Sequence, residues 1–117
     1  MPTRFAVSFS QKAEEDLEEI WSFIAADNPD NATEFVLNLE RQVESLSRFP
    51  ERCPLISENH FLRGKYRHLI YGDYRSIFRV TGKTVYVIRI INSARLLDAT
   101  TLERNSNRST FFTRASK

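Results

Sequence analysis

The hydrophobic positions at the start of the chain change from an alternating to a helical pattern at residue 10. Phe5, Val7 and Phe9 alternate with smaller or polar residues, which predicts a strand over residues 4–9 with one buried face. Ser10 suits the N-cap of a helix, and after it apolar residues recur at helical spacing: Ala13, Leu17, Ile20, Trp21 and Ile24. We therefore expect a strand followed directly by a helix with one stripe facing a core.

A second helical pattern begins after a short break. Pro29 disfavours helix at Asn28 and is itself suited to open a helix. Apolar residues then keep a 3.6-residue rhythm until Pro50 stops it: Ala32, Phe35, Val36, Leu39, Val43 and Leu46. Because only a few residues separate the two patterns, the helices should form a hairpin.

The period changes to two in the second half of the chain, after a surface loop over residues 50–65. Residues 66–71, 74–80 and 85–91 are rich in aromatic and β-branched residues, and the turn signals "GD" and "TGKT" separate them. This predicts a three-stranded meander. The fold class is α+β, with the order β-α-α-β-β-β and the helical hairpin packed on one face of a mainly antiparallel sheet. Residues 1–98 form one domain, and the polar residues 99–117 are expected to be a mobile tail.

A two-residue turn at Gly72 and Asp73 sets the register of the meander, pairing Ile70 with Arg75 and His68 with Ile77. The side chains then divide between two faces. The face toward the helices carries Leu69, Tyr71, Tyr74, Phe78, Val80, Val85, Val87 and Ile91. The opposite face, expected to be open, carries Tyr66, His68, Ile70, Arg75, Ile77, Arg79, Tyr86, Ile88 and Ile90. So much isoleucine on an exposed face favours a partner that covers it.

Composition and charge narrow the possible functions. With 41% hydrophobic and 27% charged residues the chain is typical of a soluble domain, and it has no apolar run near the ~20 residues that span a bilayer. The N-terminus lacks the features of a signal peptide, so we expect a cytoplasmic protein.

The net charge of +2 does not favour binding to nucleic acid through many phosphates. Cys53, the one cysteine, excludes an internal disulfide and suits a loop thiol. Neither a metal nor a cofactor is expected.

The order of several segments resembles a known family. The segments are "AEEDLEEIWSFIAADNPDNATEFVLNLERQVESLSRFPERCP", "RHLIYGDYRSIFRV" and "VYVIRIINSAR". Together they are similar to the ParE/RelE superfamily of toxins from bacterial type II toxin-antitoxin modules, also called plasmid stabilisation proteins. The similarity runs from about residue 4 to residue 97, and the ParE-like branch is favoured.

The resemblance implies a small antitoxin, ParD-like or similar, as partner, and one of two activities. RelE-like members are endonucleases that cleave mRNA on the ribosome with basic residues on the open sheet face. ParE-like members have no known nuclease chemistry and inhibit DNA gyrase, trapping its cleaved-DNA state. A third possibility is a member that binds antitoxin and has lost toxicity.

Residue by residue, the nuclease pattern is incomplete. Arg75 and Arg95 fall where RelE-like nucleases place two functional arginines, but Tyr66 and His68 stand where those enzymes have lysines. For a nuclease, the catalytic candidates are therefore Arg75, Arg95, His68 and Tyr66, with His68 as a substitute base. For a gyrase inhibitor, which we rank first, the target contacts would be Arg75, Arg79, Arg95 and Tyr86, with no enzymatic activity. Phe23, Phe111 and Phe112 are candidate antitoxin contacts.

Overall fold

The computed structural model describes residues 4–97 and, as main chain only, residues 111–113. A strand β1 (Ala6–Ser10) leads into α1 (Gln11–Ala25) and α2 (Pro29–Glu44). Two 3-10 turns (Ser45–Ser47 and Pro50–Arg52) and a short helix α3 (Asn59–Leu62) follow. The sheet continues with β2 (Arg67–Tyr71), β3 (Tyr74–Thr81) and β4 (Thr84–Asn92), and ends with β5 (Phe111–Thr113). The predicted order β-α-α-β-β-β is confirmed by β1, α1, α2, β2, β3 and β4.

The strands form one mixed sheet in the order β2-β3-β4-β1-β5. The meander β2-β3-β4 is antiparallel, and Ile70 pairs with Arg75 and His68 with Ile77, as predicted. β1 pairs with β4 in parallel. β5 pairs with β1 in antiparallel fashion, with Ser8 opposite Thr113. The expected mobile tail otherwise lies outside the described residues, and the three described residues within it form this strand.

Both long helices begin at side-chain caps that the sequence contains. The Ser10 hydroxyl accepts a hydrogen bond from Ala13 N at 2.9 Å, as predicted. The Asn28 side chain accepts one from Asn31 N at 3.1 Å, and Pro29 takes the first helical position. Trp21, placed by the sequence on the buried stripe, lies 39% exposed at its edge, where its Nε1 donates to Thr33 Oγ1.

The main core lies between the helical hairpin and one face of the sheet. It is formed by β1, both helices and the facing strand residues: Val7, Phe9, Ala13, Leu17, Ile20, Leu39, Val43, Leu46, Cys53, Phe78, Val85, Val87 and Ile90. Cys53 is buried there, as expected for a loop thiol, and burial raises the pKa of its thiol.

A β-bulge in β4 corrects part of the predicted sorting of side chains. Ile77 pairs with Arg89 but Phe78 pairs with Val87, which leaves Ile88 as the extra residue. The alternation therefore changes phase after Ile88. Ile90, predicted for the opposite face, lies in the main core, and Ile91, predicted for the core, lies on the opposite face.

The first turns of α1 complete the hydrogen bonding of β4 where β1 ends. Ser10 Oγ donates to Ile88 O at 2.7 Å, and Asp16 Oδ2 accepts from Ile90 N at 2.9 Å. The Arg89 guanidinium donates to both Asp16 oxygens, from Nε at 2.8 Å and from Nη2 at 3.1 Å. Both partners are buried, so this pair joins helix to strand inside the protein. Among the helices within the described ranges, none is long and apolar enough to cross a membrane.

Candidate functional site

Most of the sheet face opposite the helices is covered, so the expectation of an open face is wrong for its centre, while Ile70 at its edge is 57% exposed, as predicted. Residues 54–66 and 93–97, here called the cap, lie over its buried part. Ile56 N donates to Tyr66 O at 3.0 Å and His68 N to Pro54 O at 3.2 Å, which ties the cap to the start of β2. Beneath it is a second apolar cluster: Ile56, Ile77, Ile88, Ile91 and Leu97, with Leu62, Tyr66 and Tyr86 against it. Burial within the chain therefore explains Ile77, Ile88 and Ile91 on this face.

Arg75 lies at the centre of this arrangement and is 5% exposed, which contradicts its expected position on an open surface. Its guanidinium makes a bidentate ion pair with Glu58 of the cap, Nη2 to Oε2 and Nη1 to Oε1, the latter at 3.2 Å. Nη2 also donates to Arg95 O at 2.7 Å. Because Glu58 Oε2 accepts from Leu97 N at 3.0 Å, the pair holds both halves of the cap against β3.

Glu58 is the acidic member of this pair and is 1% exposed. The hydrogen bond from Arg75 is the largest influence on its pKa, and burial opposes it. The main-chain N–H of Leu97 lowers the pKa further, and the result is a value of about 2 against an ordinary 4.5. Glu58 is therefore a carboxylate at neutral pH, and its charge balances that of Arg75.

His68 lies beside the ion pair and is half-buried, with Nδ1 3.3 Å from Arg75 Nη1. A guanidinium only donates hydrogen bonds, so Nδ1 acts as the acceptor and the ring proton is on Nε2. Burial first, then the charge of Arg75, lowers the pKa of His68, against a smaller raising effect of Glu58. At neutral pH the imidazole is neutral.

The other predicted site residues divide between contact with the cap and exposure. Tyr66 is half-buried against the second cluster, and its ring lies over Gly64, where a Cβ atom would collide with it. The Arg79 guanidinium lies 4.6 Å above the Tyr86 ring centre and donates to Thr81 Oγ1, as expected for a stacked cation. The Arg95 side chain is exposed, although its carbonyl is bound by Arg75.

The candidate antitoxin contacts are apart from this group. Phe23 is 76% exposed on α1, on the helix side of the sheet. Phe111 and Phe112 belong to β5, for which the structure describes the main chain only. The predicted contacts of their side chains therefore lie outside what the structure describes.

Sequence reasoning missed Glu58 and, with it, the role of the loop. One signal was available: Glu58 is the single acidic residue between residues 52 and 72, in a stretch with several cations. A lone carboxylate near an arginine placed on an isoleucine-rich face indicates a buried ion pair. In the described parts of the chain, no group of three or more potential ligand residues is arranged to hold a metal ion.

The charge is unevenly distributed along the chain, which the net value of +2 conceals. The helical hairpin, residues 11–44, contains ten acidic and two basic residues. Residues 59–97 run from α3 through the meander to the segment after β4. They contain eight basic residues and a single acidic one, Asp73. Arg75 and Arg89 are buried in ion pairs, and the exposed cations of this segment are Arg63, Lys65, Lys83 and Arg95. The second half of the chain therefore presents a local excess of positive charge to solvent.

The buried Glu58 carboxylate predicts a specific dependence of stability on pH. Its pKa is lowered on folding, so its stabilising contribution is complete above about pH 4.5 and is lost as the pH falls toward 2. Substituting Glu58→Gln removes this dependence. We expect the loss of unfolding free energy caused by Glu58→Gln to be about 2 kcal/mol smaller at pH 3 than at pH 7. Urea unfolding at both pH values measures it.

Glu18→Gln, at an exposed position of α1, controls for the change of charge alone. Its effect on the unfolding free energy should be small at both pH values. An equal effect of Glu58→Gln at pH 7 and pH 3 would contradict the ion pair as described.

The profile of the family described as the ParE toxin of the type II toxin-antitoxin system parDE matches residues 7–97. Among solved structures, a chain of the "Chromosomal ParDE TA system from P. aeruginosa" is similar with a TM-score of 0.63 and 22% sequence identity. That alignment covers 77% of this chain and 97% of the other, and at this identity it shows a shared fold. No match was found among curated protein sequences.

Proposed function

Because the chain belongs to the family of ParE toxins of type II toxin-antitoxin systems, we propose that it inhibits DNA gyrase and that a cognate antitoxin neutralises it. The proposed outcome is arrest of growth through trapped, cleaved DNA. The proposed mechanism is binding, with no bond broken or formed by the toxin itself.

The state of Arg75 is the observation that carries the choice of a binding mechanism over RNA cleavage. A nuclease that works without a metal needs cations that are free to stabilise charge developing on the phosphate. Arg75, a principal candidate for this role, is buried and has both terminal nitrogens engaged by Glu58, with Arg95 O as a further acceptor. To reach a phosphate it would have to leave Glu58 unpaired inside the protein, at a cost of several kcal/mol.

The burial of Arg75 changes the set of proposed target contacts. Arg75 is a positioning residue that holds the cap, while the exposed Arg95 side chain is available to a partner. Arg79 and Tyr86 lie half-buried beside each other on β3 and β4, and we retain them as secondary candidates.

The proposed antitoxin contact includes Phe23. This side chain is the most exposed of the large apolar residues described, and Glu15, Glu18 and Glu19 lie around the same depression on α1. Lys12 also lines this depression, which leaves a net negative surface beside Phe23. Such a surface fits a partner segment that combines an apolar residue with basic ones.

A gyrase supercoiling assay tests the proposed function. Titrating the purified, antitoxin-free chain into gyrase with relaxed plasmid should abolish supercoiling and accumulate linear, cleaved DNA. Addition of the cognate antitoxin before the toxin should prevent both effects. The accumulation of linear DNA matters because it separates a trapped cleavage complex from simple loss of gyrase activity.

A parallel translation reaction supplies the contrary outcome. Ribosomes carrying a defined mRNA are incubated with the chain, and primer extension measures cleavage. Codon-specific cleavage of the mRNA, with undisturbed supercoiling, would overturn the gyrase proposal and make His68 the first residue to substitute.

A further inference from the structure

The outer surface of the cap combines exposed cations with exposed apolar side chains. Arg63 and Lys65 follow α3, and Arg95 lies in the segment after β4; all three are exposed. Phe61 and Leu96, at 56% and 69% exposure, lie in the same two segments. These five residues are here called the basic cap surface.

The two segments of this surface are adjacent because they share buried partners. Glu58, one residue before α3, accepts from Leu97 N, and Arg75 joins Glu58 to Arg95 O. Leu62 and Leu97 pack in the same apolar cluster. The cations on either side of this junction therefore lie on one surface, above the buried ion pair that joins the two segments.

Within residues 4–97, no acidic side chain forms an ion pair with these cations. Among residues 59–97, Arg75 and Arg89 form ion pairs, with Glu58 and Asp16, and the described residues show none for Arg63, Lys65 or Arg95. Leaving like charges together without counter-ions is unfavourable, so such a surface favours an anionic partner. In a trapped gyrase complex the cleaved DNA supplies this charge, since a duplex carries one phosphate charge for each ~1.7 Å of its axis.

We propose that the basic cap surface contacts the phosphate backbone of the DNA held by gyrase, so that the toxin recognises the enzyme together with its DNA. This inference rests on the proposed function and names DNA as part of the target. Arg63, Lys65 and Arg95 pair with phosphates, and the Arg75–Glu58 pair fixes their positions from below. Binding to gyrase then depends on DNA and decreases steeply with salt.

The test compares two triple variants of the chain in binding to gyrase with and without a bound DNA duplex. The cap variant carries Arg63→Gln, Lys65→Gln and Arg95→Gln. The control variant loses the same charge at three exposed cations elsewhere, through Arg41→Gln, Arg48→Gln and Lys83→Gln. Fluorescence anisotropy of labelled toxin measures affinity, and circular dichroism melting confirms that both variants fold.

The wild-type chain and the control variant should bind the gyrase–DNA complex more tightly than gyrase alone, and the cap variant should lose this difference. Three phosphate contacts also imply that affinity for the gyrase–DNA complex falls about 40-fold more for the wild type than for the cap variant between 50 and 200 mM salt, as order-of-magnitude values. Comparing both chains on the same complex removes the salt dependence of gyrase binding to DNA.

Each other outcome overturns the inference in a recognisable way. Equal affinities of the wild type and the cap variant for the gyrase–DNA complex would show that this surface makes no contact. If the cap variant bound DNA-free gyrase as poorly as it bound the complex, relative to wild type, the partner would be an acidic protein surface. A wild-type chain that leaves supercoiling unchanged would instead contradict the proposed function itself.

Discussion

Replacing Arg75 with methionine is expected to lower the free energy of unfolding by about 3 to 5 kcal/mol. Methionine fills much of the space of the arginine side chain, so the main change is loss of the charge. Glu58, 1% exposed, then remains as a buried carboxylate without its counter-ion, and Arg95 O loses its donor. This loss is a large part of the 5 to 15 kcal/mol that typically stabilises a domain. Urea unfolding followed by circular dichroism measures it.

Arg79→Met is the matched control, because Arg79 follows Arg75 on the same strand face but is half-buried over Tyr86. Its substitution should cost about 1 kcal/mol or less. The double variant Glu58→Met with Arg75→Met should be more stable than Arg75→Met alone, since no charge is left unpaired. An Arg75→Met protein as stable as Arg79→Met would contradict the structural role.

The same variants separate stability from toxicity at Arg75. A single substitution that abolishes growth inhibition does not identify a target contact, because the protein loses stability at the same time. The double variant, if folded and toxic, would establish Arg75 as a positioning residue. A folded double variant without toxicity would return Arg75 to the candidate target contacts.

The sequence predicted the long elements because their signals are local. Ser10 and Pro29 mark helix starts, and the turn at Gly72 and Asp73 fixes the register of β2 and β3. The parallel pairing of β1 with β4 was not predicted, since it joins residues far apart in the chain. Strand pairing over such separations leaves no local signal in a single sequence.

The candidate site was predicted less well, for two physical reasons. A period of two assigns side chains to faces only while the ladder is regular, and the bulge at Ile88 changed the phase. Exposure of a face also depends on distant segments, and here residues 54–66 and 93–97 cover most of it. Arg75 was thus placed on the correct face with the wrong exposure. The division of charge was readable from the sequence, but the net charge obscured it.

Asp16→Ala is the second substitution with a large expected effect, a loss of about 3 to 5 kcal/mol of unfolding free energy. Asp16 accepts three hydrogen bonds, two from the Arg89 guanidinium and one from Ile90 N. Alanine leaves a guanidinium that is 4% exposed without a counter-ion and a buried main-chain N–H without an acceptor. The lost contacts are those between α1 and the end of β4, beyond the last residue of β1. This junction of helix and sheet should therefore be the first region to open.

Two further substitutions of α1 separate the contributions to that loss. Glu15→Ala, at the exposed neighbouring position, should cost about 0.5 kcal/mol or less, since its pair with Lys12 at 3.7 Å is on the surface. Asp16→Asn preserves an acceptor for Ile90 N but removes the charge, so it should lie between the other two variants. Hydrogen exchange at Ile90 N separates the contribution of its hydrogen bond to Asp16 from that of the ion pair with Arg89. Exchange should accelerate strongly in Asp16→Ala and less in Asp16→Asn. An Asp16→Ala protein within about 0.5 kcal/mol of wild type, the range typical of surface changes, would contradict the buried ion pair with Arg89 as described.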